Sequence, residues 1–355
     1  MSSLTGTVRV VGAGLLGTSI GLALTKLGID VAIASKSQKS IDLAVEYGAG
    51  RAAREDDQPI LSIVCVPPMQ TAQIIAEELI AFPNAYVTDV ASVKVAVLEE
   101  LERLKAPIER YVGSHPMAGR ERSGAIAGRA DLFVGRPWVI AAHAKSSPTA
   151  VALLKDLAEK LESAVIELSP ADHDRAVALV SHAPQIVSTL LANRLNDAVL
   201  ADVQLAGQGL RDTTRIAASD PELWVQIIES NSQQVLSVLK KFDHDLDQLI
   251  AQLESGQHEG KLHDLLVGGN TGVEKIPGKH GTKHSNYARV VVMIDDKPGE
   301  FARLFTEVGR LGINLEELKL EHSPSAQIGL IELYVVPEVE QKLIDDLQAQ
   351  GWRIA

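Results

Sequence analysis

"TVRVVGAGLLGTSIGLALTKLGIDVAIASKS", Thr7 to Ser37, decides the first half of the fold. Thr7 to Val11 is a short β-branched run suited to a buried parallel strand. Gly12, Gly14 and Gly17 follow it as G-x-G-x-x-G, and Ser19 to Leu27 then reads as a helix. Val31 to Ala34 is a second strand. Strand, glycine turn, helix and strand in this order predict a dinucleotide site: the glycines permit a tight turn and the close approach of a pyrophosphate, whose charge sits at the helix N-terminus. Leu15 and Leu16 belong to the same turn. The second strand ends in Ser35-Lys36-Ser37, where NAD selectivity usually calls for Asp or Glu on the ribose 2′-hydroxyl. Two hydroxyls and a cation suit a 2′-phosphate instead, so NADP is favoured, with NAD as the alternative and a merely solvated Lys36 as the competing reading.

Working outward, "PILSIVCVPP" predicts a strand at Ile60 to Val66, "NAYVTDVAS" one at Ala85 to Asp89, and "ERYVGSHP" a fifth ending at Gly113. Another is expected near Pro137 to Ala141, followed by a helix-strand unit through Leu168. The alternation predicts an α/β, Rossmann-like, doubly wound sheet. Ligands of such sheets collect outside the carboxyl ends of the strands, which puts Pro67, Ser92 and His115 on one rim, with Val66 and Pro67 expected at the cofactor. Within "GSHPMAGRERSG", Gly113 to Gly124, Pro116 pushes His115 toward extended backbone, and the stretch reads as a loop around one imidazole. Cys65, expected inside a strand, reads as inert core.

The character changes at Ser169-Pro170, and from there to about Glu254 the pattern is helical. It includes a helical stretch from Asp220 to Leu253, whose apolar stripes one domain would not cover alone. Residues 256–287 are rich in Gly, His and Lys and read as a linker or lid; His258, His263, His280 and His284 have no metal-ligand spacing, so no metal is expected. From Ala288 to Ala355 the order is strand, helix, strand, strand, helix, strand, a ferredoxin-like βαββαβ unit. The expected segments are therefore a nucleotide-binding domain at 1–169, an all-helical dimerisation and substrate domain at 170–255, the linker at 256–287 and a regulatory domain at 288–355.

A net charge of −12 argues against nucleic acid or anionic membrane as partner, so an anionic ligand must be met by local cations. One cysteine precludes an intrachain disulfide. The N-terminus lacks a signal-peptide pattern and no apolar run is expected to span a bilayer, so the predicted compartment is the cytoplasm.

Four motifs together carry a resemblance: G-A-G-L-L-G at Gly12 to Gly17, D-V-A-S-V-K at Asp89 to Lys94, G-S-H-P-M-A-G at Gly113 to Gly119, and G-L-R-D-T-T-R-I-A-A-S-D-P at Gly209 to Pro221. Over nearly its whole length the chain resembles the prephenate/arogenate dehydrogenases of tyrosine biosynthesis. The tail, with Asp296-Lys297-Pro298-Gly299 and Gly312-Ile313-Asn314, resembles an ACT domain, a small-molecule sensing module.

The resemblance implies NAD(P)-dependent oxidative decarboxylation of prephenate to 4-hydroxyphenylpyruvate or of arogenate to tyrosine. It implies His115 as general base, with Ser92 and Ser114 hydrogen-bonding the ring hydroxyl or orienting the imidazole. Arg215 would hold the ring carboxylate as a bidentate donor. Arg211 is more ambiguous, pairing with Asp212 or with a phosphate. Glu121 matches an acidic position beside the active site, with a salt-bridged loop residue as the equal alternative. His182 matches a histidine on a helix facing the cleft, and Gln185 stands where prephenate-selective members often carry a second histidine, which leans toward arogenate. The resemblance further implies a homodimer and an effector site at Asp296, Pro298, Gly299 and Asn314 for tyrosine or a related aromatic amino acid. Two other readings are a β-hydroxyacid dehydrogenase, which would rely on a lysine in its helical part, and a non-catalytic nucleotide-sensing regulator.

Overall fold

The β-branched run at the start becomes β1 (Thr7–Val11), with Val8 and Val10 fully buried, and the glycine turn leads into α1 (Leu15–Lys26). The computed structural model describes residues 4–119, 124–256, 260–277, 287–295, 297–322 and 328–355. Glu121, Asp296, His258, His280 and His284 lie outside them.

After β2 (Val31–Ala34), α2 (Gln38–Glu46) and the two-residue β3 (Arg51–Ala52) come β4 (Pro59–Val64), α3 (Pro68–Ala81), β5 (Tyr86–Asp89), α4 (Val95–Arg103), β6 (Tyr111–Pro116), β7 (Pro137–Ala141), α5 (Pro148–Lys160) and β8 (Ala164–Glu167). The sheet order is β3-β2-β1-β4-β5-β6-β7-β8. Strands β1 to β6 run parallel; β7 is antiparallel to β6, and β8 parallel to β7. Helices cover both faces. On one, Ile20 and Leu24 of α1 pack with Trp138 and Leu154; on the other, Ile75 and Leu79 of α3 and Leu101 of α4 pack with Tyr111. Chain order reverses between β1 and β4, so a crevice opens there beyond the strand ends.

The predicted change at Ser169-Pro170 is a helix start. The Ser169 hydroxyl accepts the Asp172 amide, and Pro170 opens α6 (Pro170–Val177), which continues through a π-helical turn (Ala178–His182) into α7 (Ala183–Arg194). The helical run Pro170–Asp197, 28 residues with an 18-residue window of mean hydropathy 1.2, is long and apolar enough to cross a bilayer by length and composition alone. That corrects the expectation that no such run exists. A third of that window is buried within the single chain, and the run's polar His173, Asp174, His182, Gln185 and Ser188 are all covered by protein.

Short helices α8 (Leu200–Val203) and α9 (Gln208–Thr214) follow, then a 3₁₀ turn (Arg215–Ala218), α10 (Pro221–Ser230) and α11 (Ser232–Ser255). The helical stretch predicted across Asp220 to Leu253 is broken at Asn231, whose side chain turns inward and is buried. On α11, Leu236, Phe242, Leu246, Ile250 and Leu253 stay exposed within the single chain.

Two compact units emerge, Met1–Asp247 and Gln248–Ala355. In the second, the segment expected to be a linker or lid contains α12 (Lys261–Val273). The misreading has a local cause: Gly268, Gly269 and Gly272 have open space around them and no positive φ, so they interrupt the apolar period without breaking the helix. The tail forms β9 (Ala288–Asp295), α13 (Glu300–Arg310), β10 (Glu317–His322), β11 (Ile328–Val335), α14 (Glu340–Ala349) and β12 (Arg353–Ile354), an antiparallel sheet in the order β10-β11-β9-β12. Val290, Val292 and Ile294 pack against Leu304, Leu343 and Leu347 of its two helices.

Candidate active site

The glycines of the β1–α1 turn divide three tasks. Gly12 has φ 113°, and a Cβ there would lie 2.2 Å from the Cys65 carbonyl oxygen. Gly17 lets α1 pack down, since a Cβ there would meet the Gly12 carbonyl oxygen at 1.9 Å. Gly14 differs: its φ of −86° suits any residue, and nothing lies within 4 Å of an added Cβ. Neither backbone nor packing requires glycine there. The open space faces the N-terminus of α1, which has no side-chain cap and no acidic residue in its first turn. Amides and the positive end of the helix dipole are left to a ligand, so the residues fit a dinucleotide's pyrophosphate.

Leu15 and Leu16 form the half-buried first turn of α1, Val66 packs beside Gly12, and Pro67 stands at the N-cap of α3. Cys65 lies just past β4 rather than within it, and burial raises its thiol pKa, keeping it protonated and inert. At the end of β2, Ser35 is half-buried and Lys36 is exposed, its Nζ donating to Gln70 Oε1 at 3.3 Å. The Ser37 hydroxyl caps α2 by accepting the Ser40 amide at 3.2 Å. Ser37 therefore already has a structural task.

His115 is not in a loop. Pro116 does enforce extended backbone, but β6 absorbs it and pairs His115 with Val139 of β7. Neighbouring side chains on a strand point to opposite faces, which separates Ser114 from His115. Ser114 is fully buried; its hydroxyl donates to the Asp89 carbonyl oxygen at 2.7 Å and accepts from Thr88 Oγ1 at 3.2 Å. Its expected role at the substrate gives way to a contact between β5 and β6. Ser92 sits half-buried in the β5–α4 turn, between Asp89 and Lys94.

Under this rim lies a buried polar network. Lys94 Nζ donates to Asp89 Oδ1 and, at 2.8 Å, to the Ser114 carbonyl oxygen, while Tyr111 donates to Asp89 Oδ2 at 2.7 Å. Burial and the adjacent Asp89 push the Tyr111 phenol far above its ordinary pKa, so it stays a donor. Asp174, reaching over from α6, accepts the amides of Lys94 at 2.8 Å and Val95 at 2.9 Å, which joins the start of α4 to the helical domain. His173 lies 2.7 Å from Asp174 Oδ1 through its Nδ1 and 2.9 Å from His115 Nδ1 through its Nε2.

Asn231 Nδ2 donates to the Asp174 carbonyl oxygen at 2.8 Å and to His182 Nδ1 at 3.2 Å. With Nδ1 accepting, His182 carries its proton on Nε2, and that buried nitrogen has no hydrogen-bond partner among the described residues. Burial lowers all three histidine pKa values. His115 falls well below the usual range, with His173, Lys94 and His182 adding to the effect; His173 falls despite Asp174, and His182 falls to about 4. All three are neutral imidazoles at neutral pH.

Arg211 on α9 and Arg215 in the 3₁₀ turn are exposed, and both segments pack on α7. Gln185 is buried on α7, three residues beyond His182. It edges a cavity of about 250 Å³ lined also by Thr189, Ser219, Trp224 and Ile228. The Trp224 and His182 rings meet edge to face at 6.1 Å. Mostly apolar, the cavity lies against Trp224, and its lining supplies no cation. Among the described residues no cluster of His, Cys, Asp and Glu could hold a metal ion.

Residues 20–167 match the prephenate dehydrogenase nucleotide-binding domain and residues 169–267 the prephenate dehydrogenase dimerisation domain. A probable prephenate dehydrogenase of Streptomyces niveus, NovF, is 31% identical over 98% of both chains. The chain belongs to the prephenate dehydrogenase family. The crystal structure of the A. aeolicus prephenate dehydrogenase in complex with hydroxyphenyl propionate and NAD+ aligns with TM-score 0.69 at 27% identity, covering 76% of this chain and 98% of that one. Synechocystis arogenate dehydrogenase aligns with TM-score 0.65 at 31% identity, covering 76% and 99%. Within this family the protein is an NAD(P)-dependent oxidoreductase.

The sequence reading of this dehydrogenase missed Asp89, Lys94, Tyr111, His173, Asp174 and Asn231. Asp89 and Lys94 stood inside the D-V-A-S-V-K motif, and His173-Asp174 inside "ADHDRAV", without a role. A His-Asp pair just after a helix start, on the element following a Rossmann sheet, was the available signal.

Proposed function

We propose that the protein oxidatively decarboxylates prephenate or arogenate in tyrosine biosynthesis, with His115 as general base. The observation that carries this is a buried, neutral imidazole on the strand next to β5, at the carboxyl edge of a dinucleotide-binding sheet. NAD(P)+ would be held at Gly12, Gly14, Leu15, Leu16, Gly17, Val66 and Pro67 and would supply the hydride acceptor. His115 takes the ring hydroxyl proton as the alcohol carbon loses hydride. The C–CO2 bond of the resulting dienone then breaks, and its electron pair enters the ring, which becomes aromatic. Ser92 at the rim is suited to hold the hydroxyl, and the partnerless Nε2–H of His182 to donate to the substrate. Arg215, with Arg211 second, would meet the ring carboxylate. Glu121 keeps its proposed place beside the site on resemblance alone.

His115→Asn, assayed with prephenate and arogenate and with NAD+ and NADP+, should keep cofactor affinity and lose about 10² or more in turnover. Near-normal turnover would remove His115 as the base. The same assay tests two finer readings. Ser35-Lys36 supports NADP over NAD, and Gln185, an uncharged amide, supports tolerance of the ammonium of arogenate.

We further assign residues 1–169, 170–255, 256–287 and 288–355 to nucleotide, helical, connecting and ACT segments. The exposed apolar stripe of α11 and the matched dimerisation domain support a homodimer. In the tail, Gly299 has φ 95° and leads into α13, while Asn314 Nδ2 donates to Glu316 at 2.6 Å. With Pro298 and Asp296 these residues are proposed to hold tyrosine. Inhibition by tyrosine solely in competition with substrate would exclude that sensing role. A cytoplasmic location accords with the proposed biosynthetic activity.

A further inference from the structure

Resting on His115 as the base, we propose that His173 and Asp174 form a relay that fixes which nitrogen of His115 is basic, making His173 a positioning residue for the reaction. Asp174 can only accept, so the contact at 2.7 Å places a proton on His173 Nδ1. His173 is neutral, so its Nε2 carries a lone pair and not a second proton. That lone pair lies 2.9 Å from His115 Nδ1, which must therefore be the protonated nitrogen of a neutral ring. The lone pair of His115 is left on Nε2, the nitrogen that faces away from the relay.

An imidazole in water prefers its proton on Nε2, so the relay holds His115 in the less common tautomer. When the substrate O–H bond breaks, its proton goes to His115 Nε2, and the imidazolium formed keeps its Nδ1–H on His173. The growing positive charge is thereby coupled through one neutral ring to Asp174, offsetting the burial that weakens His115 as a base.

The remaining groups around the rings fix the geometry. Asp174 is pinned by the Lys94 and Val95 amides at the start of α4, and Lys94 Nζ is committed to Asp89 and to the carbonyl of the residue before His115. His182 faces the pair from the π turn, held by Asn231. The relay thus joins a strand of the nucleotide-binding sheet to the first helix of the next domain.

Two measurements test it. In the wild-type protein, ¹⁵N-histidine NMR should show His115 protonated at Nδ1; protonation at Nε2 would overturn the relay whether or not any variant folds. In steady-state assays, His173→Leu should lower kcat about 10- to 100-fold with little change in KM, less than the general base itself contributes. His173→Gln, whose Oε1 can accept from Nδ1–H, should restore part of the loss. Unchanged kcat in His173→Leu, alongside an inactive His115→Asn, would refute the relay and leave the base in place. Near-normal turnover in His115→Asn would remove the base itself.

Discussion

Gly14 is the position where ligand and fold make separable demands, and Gly14→Ala is the perturbation that separates them. A glycine conserves nothing for the protein here: φ is −86° and an added Cβ has 4 Å of clear space. At an N-cap, alanine is worse than glycine by about 0.5–1 kcal/mol. Removing a glycine from the unfolded chain returns about 0.4–1 kcal/mol. The two nearly cancel, so Tm should move by no more than a few degrees. Cofactor binding should suffer, because the methyl group occupies the space in which a pyrophosphate reaches the α1 amides. One charge-assisted hydrogen bond is worth about 1.5–3 kcal/mol, so Kd for NAD(P)H should rise roughly 10- to 100-fold. Gly17→Ala is the control, because its Cβ would lie 1.9 Å from a backbone carbonyl and the helix must shift; it should lower Tm markedly. Thermal melts with calorimetric titration of NADH and NADPH read both quantities. Unchanged Kd in a stable Gly14→Ala protein would refute the placement of the pyrophosphate, and equal destabilisation by both variants would refute the division of roles.

Two further outcomes follow from the buried network. Lys94→Met leaves the fully buried Asp89, among the described residues, with the Ala91 amide and the Tyr111 hydroxyl, and should cost about 3–5 kcal/mol in urea unfolding; Lys94→Met with Asp89→Asn should recover part of it, and a single-variant loss below about 1 kcal/mol would show that the pair is not what holds this corner. His182 falls from 6.5 to about 4 on folding, so below pH 6.5 the unfolded chain binds more protons and stability is lost as pH drops toward 4, by about 3 kcal/mol at most. His115 and His173 shift in the same direction. Unfolding free energies at pH 7 and pH 5 should therefore differ, and less so in His182→Gln; equal values at the two pH values in the wild-type protein would contradict neutral burial.

What the sequence made legible were features whose cause is local. The glycine turn, the strands at Thr7, Val31 and Pro137, and the proline-led start at Ser169 depend on residues within a few positions of one another, and the structure has them where the pattern does. Readings that depended on context went astray. Pro116 signalled extended backbone, but whether extended means loop or strand was decided by β7, some twenty residues later. Glycines in α12 read as breakers although none needs a positive φ.

The proposed catalytic corner was legible only in part for the same reason. His115 was visible because a proline and two glycines mark it. His173 lies 58 positions away, in a stretch that reads as the first turn of an amphipathic helix. What gives that residue a task is the sheet order, which places β5 and β6 side by side, and the reach of Asp174 from α6 to the start of α4. One carboxylate thereby holds a helix end and a histidine tautomer at once. A substitution that loosened the cap would also release the imidazole, so the stability of the junction between the nucleotide and helical domains and the basicity of His115 are not independent properties of this fold.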